Sequence, residues 1–122
     1  MPASGSPTAK LVYKISDGVQ WAAAVKLGVL AGSSDDRRDG YIHMSTGAQV
    51  PETARRYFTN QPGLVLAAFD PLQLGETLRW EPSRGGDLFP HLYAPLPTAS
   101  ALWVRPLPLD ASGVPIIPEG LI

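Results

Sequence analysis

The chain contains no cysteine, which excludes disulfides, thiolate zinc centres and a cysteine nucleophile. Histidine is nearly as scarce. His43 and His91 are the only two, and neither sits in an H-x-D, H-x-x-x-H or H-E-x-x-H spacing, so no metal-ligand motif is present. Charge of one sign is not in excess, because ten basic against eleven acidic residues give a net charge of -1. That balance argues against an extended surface for duplex DNA or anionic lipid and leaves room for a local basic pocket. No apolar run approaches membrane-spanning length, and "MPASGSPTAK" lacks the basic start and apolar stretch of a secretory signal. The expectation is a cytoplasmic protein that engages neither membrane nor duplex nucleic acid. Glycine fingerprints of P-loops and dinucleotide folds are missing, as is the G-x-S-x-G elbow of serine hydrolases.

What remains is a chain of 122 residues, 44% apolar and 17% charged, with Trp21, Trp80 and Trp103 spread along it. This is enough for one hydrophobic core. Residues 1–10 read as a flexible leader, 11–109 as a single globular domain, and 110–122 as an extended, proline-containing tail ending in a loosely attached "PEGLI". "LVYKI" (11–15) has strand composition, and Ser16 or Asp17 can cap the helix of "DGVQWAAAVKLG". There Val19, Ala23 and Leu27 share a face, and Gly28 suits a stop. "AGSSDDRRDG" reads as a loop with its five charges in water, and "YIHMS" (41–45) as a short strand. Val50, Ala54, Tyr57 and Phe58 form the stripe of a second helix. For its start, Thr46 and Gln49 fit a capping box, while Pro51 is easier to place as the first helical residue. "GLVLAAFD" suits a buried central strand, followed by strands in "TLRWE", "HLYAPL" and "ALWVRPL", the last at an edge because of Pro106. Two main helices in the N-terminal half followed by strands define an α+β class with mixed or antiparallel sheets.

Residues able to do chemistry concentrate in two stretches, "RRDGYIHMST" (37–46) and "RWEPSRGGDLFPHLY" (79–93), each carrying one histidine. His43 and Ser45 lie two apart on what reads as one strand face, leading to a helix start that favours an anion. The second stretch adds Glu81, Arg84, His91 and Tyr93, with Gly85 and Gly86 allowing close backbone approach. Each has a plainer reading. His43 and His91 can be packed residues bonded to a carbonyl, Arg84 can pair with Asp87 in a surface turn, and Gly85-Gly86 can be that turn. Alternation places Glu81 opposite Trp80, so a buried Trp80 turns Glu81 to water or a cleft. A phosphoesterase with two H-x-[ST] strands is poorly matched, because "HMS" conforms and "HLY" does not.

Over residues 11–109 the chain resembles a bacterial family of small uncharacterised proteins that share "DLRDGFIHLST"-like and "WE-SRGGDLFPHLYG-L"-like stretches. Here these read "DDRRDGYIHMST" and "WEPSRGGDLFPHLYAPL". The resemblance implies an ADP-ribosylation-like fold, the architecture of NAD-dependent ADP-ribosyltransferases. It also implies roles. The His-x-Ser of His43 and Ser45 is similar to the strand that contacts the ribose and nicotinamide end of NAD in such enzymes. Tyr93 or Tyr57 stands for the tyrosine that stacks on nicotinamide. Glu81 stands for the glutamate that steadies an oxocarbenium-like transition state, although it precedes Tyr93 where the usual order places the glutamate last; Glu119 has that order. The expected site is a cleft of His43, Ser45, Glu81, Arg84 and His91 for an anionic, nucleotide-like ligand, with NAD as a substrate and Arg84 on a phosphate. The alternatives are a non-catalytic binding or regulatory module, and two motifs that serve the fold alone.

Overall fold

A computed structural model of the chain describes residues 10–122. The expected flexible leader therefore lies, but for Lys10, outside the described residues. In chain order the elements are β1 (Val12–Asp17), α1 (Gly18–Leu27), β2 (Val29–Leu30), α2 (Ser34–Asp39), β3 (Ile42–His43), β4 (Ser45–Thr46) and α3 (Val50–Tyr57). They continue with β5 (Leu64–Phe69), α4 (Pro71–Leu74), β6 (Leu78–Pro82), β7 (Leu88–Leu92), β8 (Leu96–Pro97) and β9 (Trp103–Leu107). The strands form three antiparallel sheets, ordered β4-β1-β5-β9, β3-β7-β6 and β2-β8. The class is α+β.

The central strands β1 and β5 of the four-stranded sheet are buried on both faces, which is why β5 reads as a continuous apolar run. Val12, Ala67 and Phe69 face one core, with Trp21 and Ala24 of α1 and with Ile42, Leu78 and Leu92 of the three-stranded sheet. Tyr13, Ile15, Leu64, Leu66 and Ala68 face the other, with Val50 and Ala54 of α3 and with Leu107. Full burial of each large aliphatic or aromatic side chain here contributes about 1.5–3 kcal/mol. β9 lies at the sheet edge, where Pro106 can do without a ladder N–H.

Local signals set most boundaries. Asp17 caps α1 by accepting from the Val19 N–H at 2.7 Å, and Gly28 ends it with a left-handed φ. The face read from Val19, Ala23 and Leu27 turns out to be the solvent side, and Trp21 and Ala24 make the buried contacts. An almost uniformly apolar helix offers no contrast from which to choose its buried face. "SSDDRRD" is not a loop. Ser33 and Asp36 form a reciprocal capping box at the start of α2, and Asp36 is buried rather than hydrated. "YIHMS" also divides. β3 and β4 join different sheets across Met44, whose N–H donates to the Pro90 carbonyl at 3.1 Å.

At α3 both readings hold in part, since Pro51 sits in the first turn and the Gln49 side chain accepts from the Thr46 N–H at 3.0 Å. The C-terminal segment is not loose. Ile117 and Leu121 pack on the Tyr13 core, the Tyr13 hydroxyl donates to the Ile122 carbonyl at 3.0 Å, and the Ile122 N–H donates back at 3.1 Å. Gly47 permits this docking, because a Cβ there would stand 2.9 Å from the Leu121 carbonyl carbon. Gly47→Ala is expected to cost about 1–3 kcal/mol in urea denaturation and to speed proteolysis of residues 110–122. A variant as stable and as resistant as the parent would show that the segment is not held there.

Candidate functional site

β4 pairs only with Val12 and Tyr13, so among the described residues the Lys14–Asp17 edge of β1 has no strand on that side. A cleft of about 310 Å³ opens there, within the size range of small-molecule sites. Lys14 and Ile15 of β1 line it, with Asp36 and Asp39 of α2, Tyr41 and His43 around β3, Ser45 of β4, Thr53 of α3, and Arg84, Phe89 and His91 from the second motif.

The centre of the site is the Asp36 carboxylate, which accepts four hydrogen bonds. Oδ1 takes the His43 N–H at 3.0 Å and faces His43 Nδ1 at 2.6 Å, while Oδ2 takes the Ser33 N–H at 2.9 Å and Lys14 Nζ at 2.8 Å. Burial alone would raise its pKa, but the His43 ring, the Lys14 ammonium and the His43 amide outweigh that and hold it well below the usual carboxylate range. Burial pulls the Lys14 ammonium down from its ordinary value, opposed by Asp36, and Nζ also donates to the His43 carbonyl at 2.9 Å. Gly32 lets the chain wrap this tightly, since a Cβ there would stand 2.7 Å from the Asp36 Cβ. His43 Nε2 meets Asp39 Oδ2 at 2.9 Å, so both ring nitrogens face carboxylates.

His91 stands opposite His43 across β3 and β7, on the face of the three-stranded sheet turned away from Ile42, Leu78 and Leu92. Its side chain is 3% exposed, and its ring lies nearly parallel to Tyr41 with centroids 4.0 Å apart. Nδ1 faces Glu81 Oε1 at 2.9 Å, and the same oxygen accepts from the Tyr93 hydroxyl at 2.7 Å. These two bonds keep Glu81 ionised below its ordinary range, the tyrosine contributing more. Burial lowers the His91 pKa, partly countered by Glu81.

His43, Ser45, Arg84 and His91 from the expected site thus line one cleft, as does Tyr57; Glu81, Tyr93, Gly85 and Gly86 do not. Glu81 meets the Nδ1 edge of the His91 ring, Tyr93 donates to Glu81, and Gly85 and Gly86 form the turn after Arg84. Trp80 packs on the core and Glu81 faces away from it, as alternation predicts. Arg84 pairs with Thr53 rather than with Asp87: Nη1 donates to Thr53 Oγ1 at 3.2 Å, and the guanidinium lies over the Phe89 ring at 5.0 Å. Sequence reasoning missed Lys14, Asp36, Asp39 and Tyr41. The S-x-x-D spacing of Ser33 and Asp36 was the signal for a helix start there, whereas nothing local marks Lys14, whose partner is 22 residues away.

The fold and site define an α+β protein with a polar cleft between two sheets, organised by a buried carboxylate and two histidines. The chain belongs to the family described as "Protein of unknown function (DUF952)", whose model matches residues 15–104 and so includes both histidine-bearing stretches. It is similar to protein CC0527 from Caulobacter crescentus, whose crystal structure shares 48% identity and a TM-score of 0.85 over 87% of this chain and 93% of that one. The solution structure of CC0527 gives 48% identity and a TM-score of 0.78 over 86% and 90%. A comparison with curated proteins finds no match.

Asp36→Asn leaves Lys14 buried without its counter-charge and is expected to lose about 3–5 kcal/mol in denaturant unfolding. The folded carboxyl titrates below its unfolded value of 3.8, so its stabilisation is complete above that pH and is lost as pH falls through the folded value. The parent should therefore lose stability more steeply than the variant below about pH 4. Equal acid slopes would remove Asp36 from this role.

Proposed function

We propose that the cleft binds an anionic, nucleotide-like ligand of the NAD class and supports transfer or hydrolysis at its N-glycosidic bond. The observation that carries this reading is convergence. Two separate sequence stretches, residues 37–46 and 79–93, deliver His43, Ser45, Arg84 and His91 to one concave surface. The resemblance of those stretches to an ADP-ribosylation-like fold supplies the ligand class. Arg84 suits a phosphate, because Thr53 and the Phe89 ring hold its guanidinium while donors beyond the one on Thr53 stay available. Tyr41, Tyr57 and Phe89 offer aromatic surface to a base or a pyridinium ring.

Glu81 is poorly placed for the glutamate role the resemblance assigns to it. Its Oε1 serves His91 and Tyr93, and it is not part of the cleft lining. Among the described residues the carboxylates at the cleft are Asp35, Asp36 and Asp39. Asp36 is buried with its oxygens committed to four donors; Asp39, whose oxygens hold the Arg38 guanidinium and His43 Nε2, is the more exposed of the two and is the one able to face positive charge developing at the anomeric carbon. A non-catalytic binding module is the second reading, favoured by the engagement of both His43 nitrogens with aspartates. A ligand hydroxyl would reach His43 Nε2 only by displacing Asp39.

Isothermal titration is expected to give sub-millimolar binding of both NAD and ADP-ribose, with Arg84→Ala weakening ADP-ribose about tenfold, or about 1.4 kcal/mol. Absence of heat at millimolar ligand with a folded protein removes the nucleotide reading. Binding without nicotinamide release, unchanged in His43→Ala, favours the module.

A further inference from the structure

We infer that His91 is the acid–base group of this cleft and that Glu81 is its positioning residue. This deepens the NAD-class reading and rests on it. An ionised carboxylate only accepts, so the Nδ1 edge facing Glu81 carries the proton, and in the neutral ring the Nε2 lone pair is bare. No hydrogen bond among the described residues engages Nε2, although the side chain is 97% buried. His91 lines the cleft, and with Nδ1 turned to a residue outside the lining, Nε2 is the ring nitrogen left to serve it. The ring cannot swing away, because Tyr41 covers its face and its backbone lies in the ladder between β3 and β6. A carboxylate-oriented histidine with a free Nε2 has the geometry of a general base.

The substrate that uses such a base is a pyridinium N-glycoside with a water or hydroxyl acceptor. The acceptor oxygen bonds to the anomeric carbon as the bond from that carbon to the pyridinium nitrogen breaks. The electron pair of the broken bond stays on the ring nitrogen, which leaves as a neutral base. The acceptor proton passes to His91 Nε2 and then to solvent. The groups that set this titration are Glu81 and Arg79 from β6, His43 from β3, Asp39 from α2, and the Tyr41 and Tyr93 hydroxyls.

Long-range nitrogen–proton NMR of the full chain, followed across pH, is expected to show neutral His91 protonated at Nδ1; an Nε2–H tautomer overturns the inference. Nicotinamide release from NAD is expected to fall about 100-fold or more in His91→Gln. Glu81→Gln should lower kcat about tenfold with KM unchanged and move the acid limb to lower pH, because the lost carboxylate favoured the protonated ring. Glu81 is half-exposed, so this second variant carries the test if His91→Gln does not fold. An unmoved acid limb, or a His91→Gln protein as active as the parent, overturns the role of His91 and leaves the binding reading intact. A parent that neither binds nor cleaves NAD overturns both.

Discussion

A carboxylate taken out of water must be given donors or a counter-charge, and Asp36 receives both. Its four donors come from the strand Lys14 sits on, from the turn that starts its own helix, and from the backbone and ring of His43. The consequence is architectural as much as electrostatic. The central sheet, the short helix over it and the first strand of the second sheet are fastened at one point, and the cleft is the space left around that point. His43 is thereby a clamp between α2 and the second sheet. Its second nitrogen on Asp39 extends the same chain of charge to the rim.

The three-stranded sheet shows how one short element serves both packing and chemistry. Along β6 and β7 alternate residues enter the core: Leu78 and Trp80 on one strand, Leu92 on the other. The residues between them, Arg79, Glu81 and His91, share the opposite face. Tyr41 covers that face by stacking on His91 and standing 5.3 Å from Tyr93. The period of two thus puts hydrophobic area to work holding a polar constellation in register. A one-residue slip would exchange the faces, and the core residues on the other side forbid it.

Much of the fold was legible because its signals are local. A cap such as Asp17, a stop such as Gly28, the apolar run of β5 and the edge proline Pro106 each act within a few residues. What was illegible depends on distant partners. Lys14 looks like a surface lysine in a strand until Asp36 meets it, and "SSDDRRD" looks like a solvated loop until its second carboxylate, Asp36, turns inward. The break at Met44, which sends His43 and Ser45 to different sheets, follows from the Pro90 carbonyl that Met44 bonds, 46 residues downstream. Of the candidate site, His43, Ser45, Arg84 and His91 reach the cleft, and Gly85 and Gly86 stay in the turn beside it. Glu81 and Tyr93 belong to its support instead, a distinction of a few ångströms that no spacing rule encodes.

The central claim is that these two stretches form one binding surface for a phosphate-bearing nucleotide. Its most direct measurement is a titration of isotope-labelled protein with ADP-ribose, followed by amide chemical shifts. The account predicts saturable shifts that cluster at Asp39, Tyr41, Ser45, Thr53, Arg84 and His91 while α1 and β9 stay still. Shifts that are absent at millimolar ligand, or that gather on α1 instead of the cleft, would contradict it.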